Sequence, residues 1–288
     1  MGYLYAFAAF AFIGSYMVPT RFAKARGSSF LPCMALGMLG LEVFFLEELK
    51  ALWENPSWLA ASLLTGLLWA VGQTLANDSL EEISLAKASV FFNVNSFINI
   101  GMGVLLFQEA SGWKAYTLLL VGGTLLFLGA RTVAGVTASP SREGNLRKGI
   151  VLSLLAGVLW GVYFAPVQAA QGGSAGAFTP LMALAGMVLG GAVPLFLFGF
   201  WKSHGRMTAK DVGLGLLTAG LWMGGTLFFL KANLALGLSR AVPIVNSNVL
   251  MYAGWSLFFK ELPLGQWRRV LGGALTVAAG VALMALSR

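Results

Sequence analysis

Residues 11–20 read AFIGSYMVPT, and residues 158–167 read VLWGVYFAPV. Gly14, Tyr16 and Pro19 fall on Gly161, Tyr163 and Pro166. Further segments repeat in the same order. LLTGLLWAVGQ (63–73) matches LLTAGLWMGGT (216–226), pairing Trp69 with Trp222 and Gly72 with Gly225. SLAKASVFFNVN (84–95) matches GLSRAVPIVNSN (237–248), pairing Lys87 with Arg240, Asn93 with Asn246 and Asn95 with Asn248. LLFQE (105–109) matches LFFKE (257–261). Apolar segments resemble one another by chance, but ordered matches whose polar residues coincide do not arise that way. The chain reads as two copies of one unit, 1–137 and 148–288, joined by a polar connection, 138–147.

The composition says where such a unit lives. Of 288 residues, 58% are hydrophobic and only 10% charged, against about 25% charged in soluble domains. A soluble fold of this size needs more polar surface, which excludes a soluble enzyme, a disordered chain and a disulfide scaffold. A membrane span takes about 20 mainly apolar residues. Charge-free runs give ten, near 3–20, 30–47, 58–77, 85–107, 114–134, 149–168, 177–200, 212–230, 241–259 and 269–286. The runs are continuously apolar and lack period-two alternation, which argues against a β-barrel. Each unit holds five spans, and five is odd, so the second unit enters the membrane upside down. The predicted fold is an all-α integral membrane protein of ten transmembrane helices in two inverted five-helix repeats, a transporter architecture with its site at the midplane.

Charge gives an independent test. Orientation follows Lys and Arg in short loops. The odd-numbered loops carry 14 of the 19 Lys and Arg residues, which places them in the cytoplasm and both termini outside. Loop 1–2 has Arg21, Lys24 and Arg26, while its repeat equivalent, Gln168 to Gly176, has no charge. Loop 2–3 is acidic (Glu47, Glu48, Glu54), while loop 7–8 has Lys202, Arg206 and Lys210. Inversion predicts this opposition. The net charge of +8 therefore follows the membrane rule and does not mark nucleic-acid binding. One Cys (Cys33) and one His (His204) exclude cysteine-cluster and multi-histidine metal sites, and no cofactor is expected. The few loops and basic inner surface fit a bacterial cytoplasmic (inner) membrane.

The motifs FIGSYMVPTRF (12–22), GLLWAVGQ (66–73) and GLWMGGTLFFLKANLALGLSRAVPI (220–244) resemble the drug/metabolite transporter (DMT) superfamily, EamA-like ten-helix type. Within it they look most like the glucose/rhamnose-type sugar porter branch. The resemblance covers essentially the whole chain. It implies ten helices in two repeats, alternating access by a secondary transporter, and a sugar as substrate.

Polar side chains at mid-membrane are costly, so they mark either helix–helix hydrogen bonds or a substrate path. Helix four carries Ser89, Asn93, Asn95, Ser96 and Asn99. On an unbroken helix Asn93 and Asn95 lie about 200° apart. Asn93 then groups with Ser89 and Ser96, and Asn95 with Asn99, so that one face looks into the pathway and the other packs on a neighbour. Helix nine repeats the pattern with Asn246, Ser247 and Asn248, then Tyr252 and Ser256. Amides offer donors and acceptors without net charge, which suits a neutral polyol. Gln73 sits where the sugar-porter motif has a polar residue. Trp69 and Trp222 offer aromatic faces for the C–H side of a sugar ring, or pack in the core. Trp160 is a further aromatic of this kind. Tyr16 and Tyr163 each stand three residues before a proline, Pro19 and Pro166. Those prolines kink helices at gates or end them near loops. Pro243 loosens the start of helix nine and frees backbone groups.

Glu42 is the carboxylate placed inside a span, about 18 Å along helix two. It is a candidate for proton coupling, or it snorkels beside Glu47 and Glu48. Lys87 and Arg240 form gate ion pairs or anchor helix ends. Gly157/Gly161, Gly186/Gly190 and Gly220/Gly224 are small-xxx-small faces for close helix contact. No activated nucleophile, metal cluster or paired acid is evident, so the chain is not an enzyme. Its expected partners are the lipid bilayer, a small-molecule substrate and, as a candidate coupling ion, protons. The expected function is secondary-active transport of a small neutral polar solute, a sugar first. The alternative is export of amino acids or other small metabolites.

Overall fold

The computed structural model describes all residues except 26, 84–87, 89, 90, 110, 111, 136–143, 175, 204–206, 260–263 and 288. For 133, 134, 203, 249, 252, 253, 256, 257, 264 and 285 it describes the backbone alone. Lys87, Ser89, His204 and most of the expected connection 138–147 thus lie outside the described residues, as do the side chains of Tyr252 and Ser256.

The described residues form helices and no strand. In chain order they are α1 (Gly2–Ile13), α2 (Leu31–Glu42), α3 (Leu46–Trp53), α4 (Pro56–Glu82), α5 (Val94–Leu105), α6 (Trp113–Ala134), α7 (Leu146–Val162), α8 (Ala165–Gly173), α9 (Pro180–Ser203), α10 (Ala209–Leu236), α11 (Leu238–Asn246), α12 (Val249–Phe258) and α13 (Trp267–Ala285). Local sequence sets several ends. α10 opens with a capping box: the Thr208 hydroxyl accepts from the Asp211 N–H at 3.2 Å, and the Asp211 carboxylate accepts from the Thr208 N–H at 3.2 Å. This satisfies orphan donors of the first turn. α10 stops at Gly237, whose φ of 81° suits a residue without Cβ. α4 starts with Pro56 in its first turn, where a missing N–H costs no helical bond.

Six helical stretches among the described residues are long and apolar enough to cross a membrane: Gly27–Trp53, Pro56–Glu82, Trp113–Thr132, Leu146–Gly173, Pro180–Lys202 and Ala209–Leu236. Gly2–Ile13 and Val94–Leu105 are shorter apolar helices. A 27-residue helix such as α4 measures about 40 Å at 1.5 Å per residue, more than the roughly 30 Å of bilayer hydrocarbon. Large apolar side chains point outward along these helices, among them Leu64, Leu67 and Val71 on α4, Leu120 and Leu128 on α6, and Val151, Leu155 and Val158 on α7. Water does not tolerate an apolar coat of this extent, and lipid does. The chain is a helical integral membrane protein.

The interior is built by close approach of backbones. α4 and α9 pack along Gly66, Gly186 and Gly190. A Cβ on Gly66 would collide with the Met187 carbonyl oxygen, and one on Gly190 with the Leu63 carbonyl. Gly157 and Gly161 of α7 likewise receive the backbone at 91–92 and the Ile98 side chain. Gly220 and Gly224 differ: their neighbours are side-chain atoms of Leu41 and Phe12, so this third small-residue pair seats side chains and no backbone. α6 and α13 pair separately through Leu119, Leu126, Val277 and Met284.

Several expected spans are broken rather than continuous. α1 ends at Ile13, and a turn over 14–18 leads to a 3₁₀ turn, Pro19–Phe22. α7 ends at Val162, and after a turn at 163–164, α8 restarts at Ala165 with Pro166 in its first turn. Pro19 and Pro166 therefore stand where a helical segment begins, and neither kinks a helix from within. Pro243 lies inside α11, and a turn at Ser247–Asn248 separates α11 from α12. Asn93 is a turn residue at the N-cap of α5. The 100°-per-residue count across Asn93 does not apply at such a break, which overturns the expected separation of Asn93 and Asn95 onto opposite faces. Pro194 sits inside α9, an interior proline that the spans did not single out.

Candidate functional site

A cavity lies between the two halves of the chain. Tyr16, Trp69, Asn93 and Asn95 line it from the first half, and Tyr163, Trp222, Asn246 and Asn248 from the second. Its free space for the centres of water-sized molecules is about 110 Å³, several times the roughly 10–15 Å³ that one water needs. The described wall carries no charged side chain. It is aromatic on several sides, with amides set between the rings.

The helix breaks put those amides there. Pro243 has no N–H to continue the α11 ladder, and α11 ends three residues later at Asn246. The Asn246 Nδ2 donates to Asn95 Oδ1 at 2.7 Å and to the Ser96 hydroxyl at 2.9 Å. These bonds cross from one half to the other. Asn95 and Ser96 serve the same partner although they are adjacent on α5. Asn99, one turn further, also belongs to the wall; its Nδ2 donates to the Asn95 carbonyl at 2.8 Å.

Trp69 and Trp222 meet with ring centroids 4.0 Å apart and planes 30° from parallel. Each therefore uses one face on the other. The Trp160 indole N–H donates to the Trp69 carbonyl at 3.4 Å. Tyr163, Phe164 and Phe229 make successive tilted ring contacts, with centroids 4.0 and 4.3 Å apart.

Gln73 is not a wall residue. It is buried behind Tyr16, whose hydroxyl donates to Gln73 Oε1 at 3.0 Å, and its Nε2 donates to Asn77 Oδ1 at 3.2 Å. Gln73 thus holds a wall residue, Tyr16, and is not itself among the residues lining the cavity. Glu42, the last residue of α2, is buried, and neither carboxylate oxygen has a hydrogen-bond partner among the described residues. It lies outside the cavity wall. Pro19, Pro166 and Pro243 also lie outside it.

One end of the bundle is tied across the halves by carboxylates. Asp78 on α4 accepts from Lys202 Nζ on α9 at 2.7 and 2.8 Å, and from the Ser28 hydroxyl. Glu82 accepts from Lys148 Nζ at 2.5 Å and from the Asn145 N–H at 2.8 Å. Asp211 accepts from the Lys24 N–H at 2.7 Å. At the other end Glu109 accepts from the N–H groups of Leu238 and Ser239 at 2.7 and 2.8 Å, where a negative charge suits a helix N-terminus. Arg240 is buried there, its guanidinium donating to the carbonyls of Leu236 and Ser287 at 3.2 and 2.9 Å. It clamps two helix C-termini, neither a free anchor nor a gate ion pair among the described residues.

The sequence reading missed Asn77, Thr226 and the Phe164–Phe229 contact. Asn77 was legible in principle, since it lies four residues after Gln73 on one helix face. The Asp78–Lys202 pair was not, because 124 residues separate its partners.

The sequence profile of the family described as "Sugar transport protein" matches residues 6–197. The chain belongs to that sugar transport protein family. Curated relatives agree with the assignment. "Probable glucose uptake protein GlcU" of Priestia megaterium is 23% identical over 206 residues, 68% of each chain. "Putative sugar uptake protein lin0444" of Listeria innocua is 24% identical over 236 residues, 78% of each chain. A solved chain described only as "Crystal structure of protein" superposes with a TM-score of 0.70 over 99% of this chain and 97% of its own, at 14% identity. That likeness concerns the fold alone. As a sugar transport family member the chain is a transport protein rather than an enzyme.

Proposed function

We propose that this member of the sugar transport family is a secondary-active transporter. It moves a small neutral polar solute, a sugar first, by alternating access at the cavity between its halves. The carrying observation is the wall itself: aromatic rings and amides from both halves with no charged side chain among the described residues. A charged guest in a membrane interior is costly without a counter-charge, whereas a polyol needs uncharged donors and acceptors. In this reading the substrate meets Asn93, Asn95, Asn246 and Asn248 between Trp69, Trp222, Tyr16 and Tyr163, and Gln73 positions Tyr16. The names of the relatives, a probable glucose uptake protein and a putative sugar uptake protein, support the substrate class.

The architecture we infer is ten spans in two inverted five-helix repeats, 1–137 and 148–288, of the EamA-like DMT type. It rests on the paired breaks, at 14–18 with 163–164 and at Asn93 with Ser247–Asn248, and on the Trp69–Trp222 contact between matched positions. The membrane is a bacterial cytoplasmic one with both termini outside. Glu42 is the proton-coupling residue in this reading, since a buried carboxyl with no hydrogen-bond partner among the described residues accommodates a proton better than a charge.

The test is uptake of radiolabelled glucose, ribose, rhamnose, a neutral amino acid and an organic anion into proteoliposomes, with and without an inward proton gradient. Saturable sugar uptake is expected, with gradient stimulation abolished by Glu42→Gln. Movement of the amino acid or anion alone overturns the sugar reading and favours the exporter alternative.

A further inference from the structure

The two halves treat their matched tyrosines differently. Tyr16 donates its hydroxyl to Gln73 Oε1 at 3.0 Å. In the aligned segments Tyr16 falls on Tyr163, and Gln73 falls on Thr226. Tyr163 and Thr226 both line the cavity, yet neither hydroxyl has a hydrogen-bond partner among the described residues. Side-chain length gives the reason. A threonine hydroxyl stands two bonds nearer the backbone than a glutamine carbonyl, so Thr226 leaves room where Gln73 fills it.

Both hydroxyls remain open. Thr65 and Thr218 also lack partners, but their oxygens are sealed from water, and those of Tyr163 and Thr226 are not. Thr226 is only 3% exposed and is a wall residue, so the surface it keeps faces the cavity. The exposed helical residues Thr117, Thr124, Thr132 and Thr276 bond the carbonyl four residues back, as short hydroxyls on helices can. Thr226 makes no such bond, and its hydroxyl stays available. The two residues also belong to adjoining parts of the wall. Trp222, Thr226 and Phe229 recur at helical spacing on one face of α10, and all three line the cavity. The Phe229 ring meets that of Phe164, the residue after Tyr163, at 4.3 Å. The turn that holds Tyr163 thus rests against the α10 face that carries Thr226.

A guest group between these hydroxyls has to accept from one and donate to the other. An alcohol does both without charge, whereas a carboxylate or an ammonium would bring an uncompensated charge into a neutral wall. We propose that Tyr163 and Thr226 form the subsite for one hydroxyl of the transported sugar. That hydroxyl accepts from Tyr163 Oη and donates to Thr226 Oγ1, taking the place that the Gln73 side chain fills in the other half. Thr226 is thereby a specificity-determining residue. The assignment rests on the sugar reading above and adds to the amide contacts given there. A site built to bond a hydroxyl rejects an analogue that lacks it, because the site's own polar atoms are then left unpaired.

The test is equilibrium binding, by calorimetry, to the purified full-length protein in detergent. The parent sugar is whichever of glucose, ribose and rhamnose binds most tightly, and each of its monodeoxy analogues is compared with it. In the unmodified protein one analogue should bind about thirtyfold more weakly than the parent, the equivalent of two ordinary hydrogen bonds. Thr226→Val keeps the side-chain shape and removes the hydroxyl. It should cut the ratio for that analogue to about fivefold, the one bond that remains, and leave the other ratios unchanged. Tyr163→Phe should do the same for the same analogue, and Thr226→Ser should keep the full ratio. If Tyr163→Phe does not fold, the two variants at position 226 decide. Preserved ratios or loss of all sugar binding in folded Thr226→Val would overturn the subsite and leave the sugar reading standing. So would effects of the two variants on different analogues, or the absence of any discriminated analogue. Failure of the unmodified protein to bind any of the three sugars overturns the sugar reading and this inference with it.

Discussion

Breaking the Asp78–Lys202 pair should open the end of the bundle it closes. The pair joins the two halves with two short contacts, 2.7 and 2.8 Å, and Ser28 adds a third donor to Asp78. The side chains are 33% and 20% exposed, so solvent screens them in part. Exposed ion pairs contribute about 0.2–1 kcal/mol, and a partly buried pair whose hydrogen bonds join charged groups lies above that range. A contribution of about 1–2 kcal/mol to the closed arrangement follows, or a factor of roughly 5–30 in population. Leu80, two residues beyond Asp78, lines the cavity and reports access. In a Cys33→Ala background, Leu80→Cys should react with a membrane-impermeant maleimide 5–30 times faster, about the population factor above, when Lys202→Met is added. Reaction is followed from each side of sealed vesicles, and the increase should come from one side only. The charge exchange Asp78→Lys with Lys202→Asp should slow labelling again. Unchanged labelling in a folded Lys202→Met variant would refute the idea that this pair holds that end shut.

Three other outcomes follow from the geometry. Tyr16→Phe leaves Gln73 Oε1 buried without its donor, which should lower stability by about 1–3 kcal/mol and be read as a fall in thermal midpoint. Asn246→Ala removes two bonds between the halves; transport in proteoliposomes should fall more than folded yield, and equal losses would favour a purely structural cluster. Gly190→Val puts side-chain atoms against the Leu63 backbone, which cannot yield; overpacking of this kind costs about 1–3 kcal/mol or more and should show as loss of monodisperse protein, whereas Gly220→Ala, with 3.7 Å to Leu41, should be tolerated.

What the sequence made legible was the pattern that lipid imposes. Apolar run length and scarcity of charge report the surrounding solvent, and those are properties of the chain read in order. Tyr16, Trp69, Asn93 and Asn95 line one cavity with Tyr163, Trp222, Asn246 and Asn248, and each of the first four matches one of the second four in the aligned segments. The errors arose where the backbone leaves the regular helix. Asn93 looked misplaced relative to Asn95 because periodicity presumes an unbroken helix, and the turn at Asn93 resets the phase. Gln73 looked like a wall residue because its position on α4 does not say which side chain from α1's turn stands in front of it. The carboxylate ties at the end of the bundle were illegible for a different reason. A charge near a loop has many partners in sequence, and only the fold selects Lys202 for Asp78 and Lys148 for Glu82.

The two halves are joined by two different kinds of contact, and the difference fits a moving interface. At the end holding Asp78 the links are carboxylates on Nζ and N–H groups, partly exposed. Such links exchange for water at a cost of about 1–2 kcal/mol, because the released charges are rehydrated. At the cavity the links are a buried ring pair and part-buried amide bonds, at 4.0 and 2.7 Å. Those are costly to leave unmade, so any rearrangement must replace them at once. A hydroxylated guest entering the cavity is one replacement that brings donors and acceptors into the same space. Binding and rearrangement then become coupled through the same few atoms. The relevant quantity is the difference in guest affinity between arrangements, since a ligand shifts an equilibrium only by that difference.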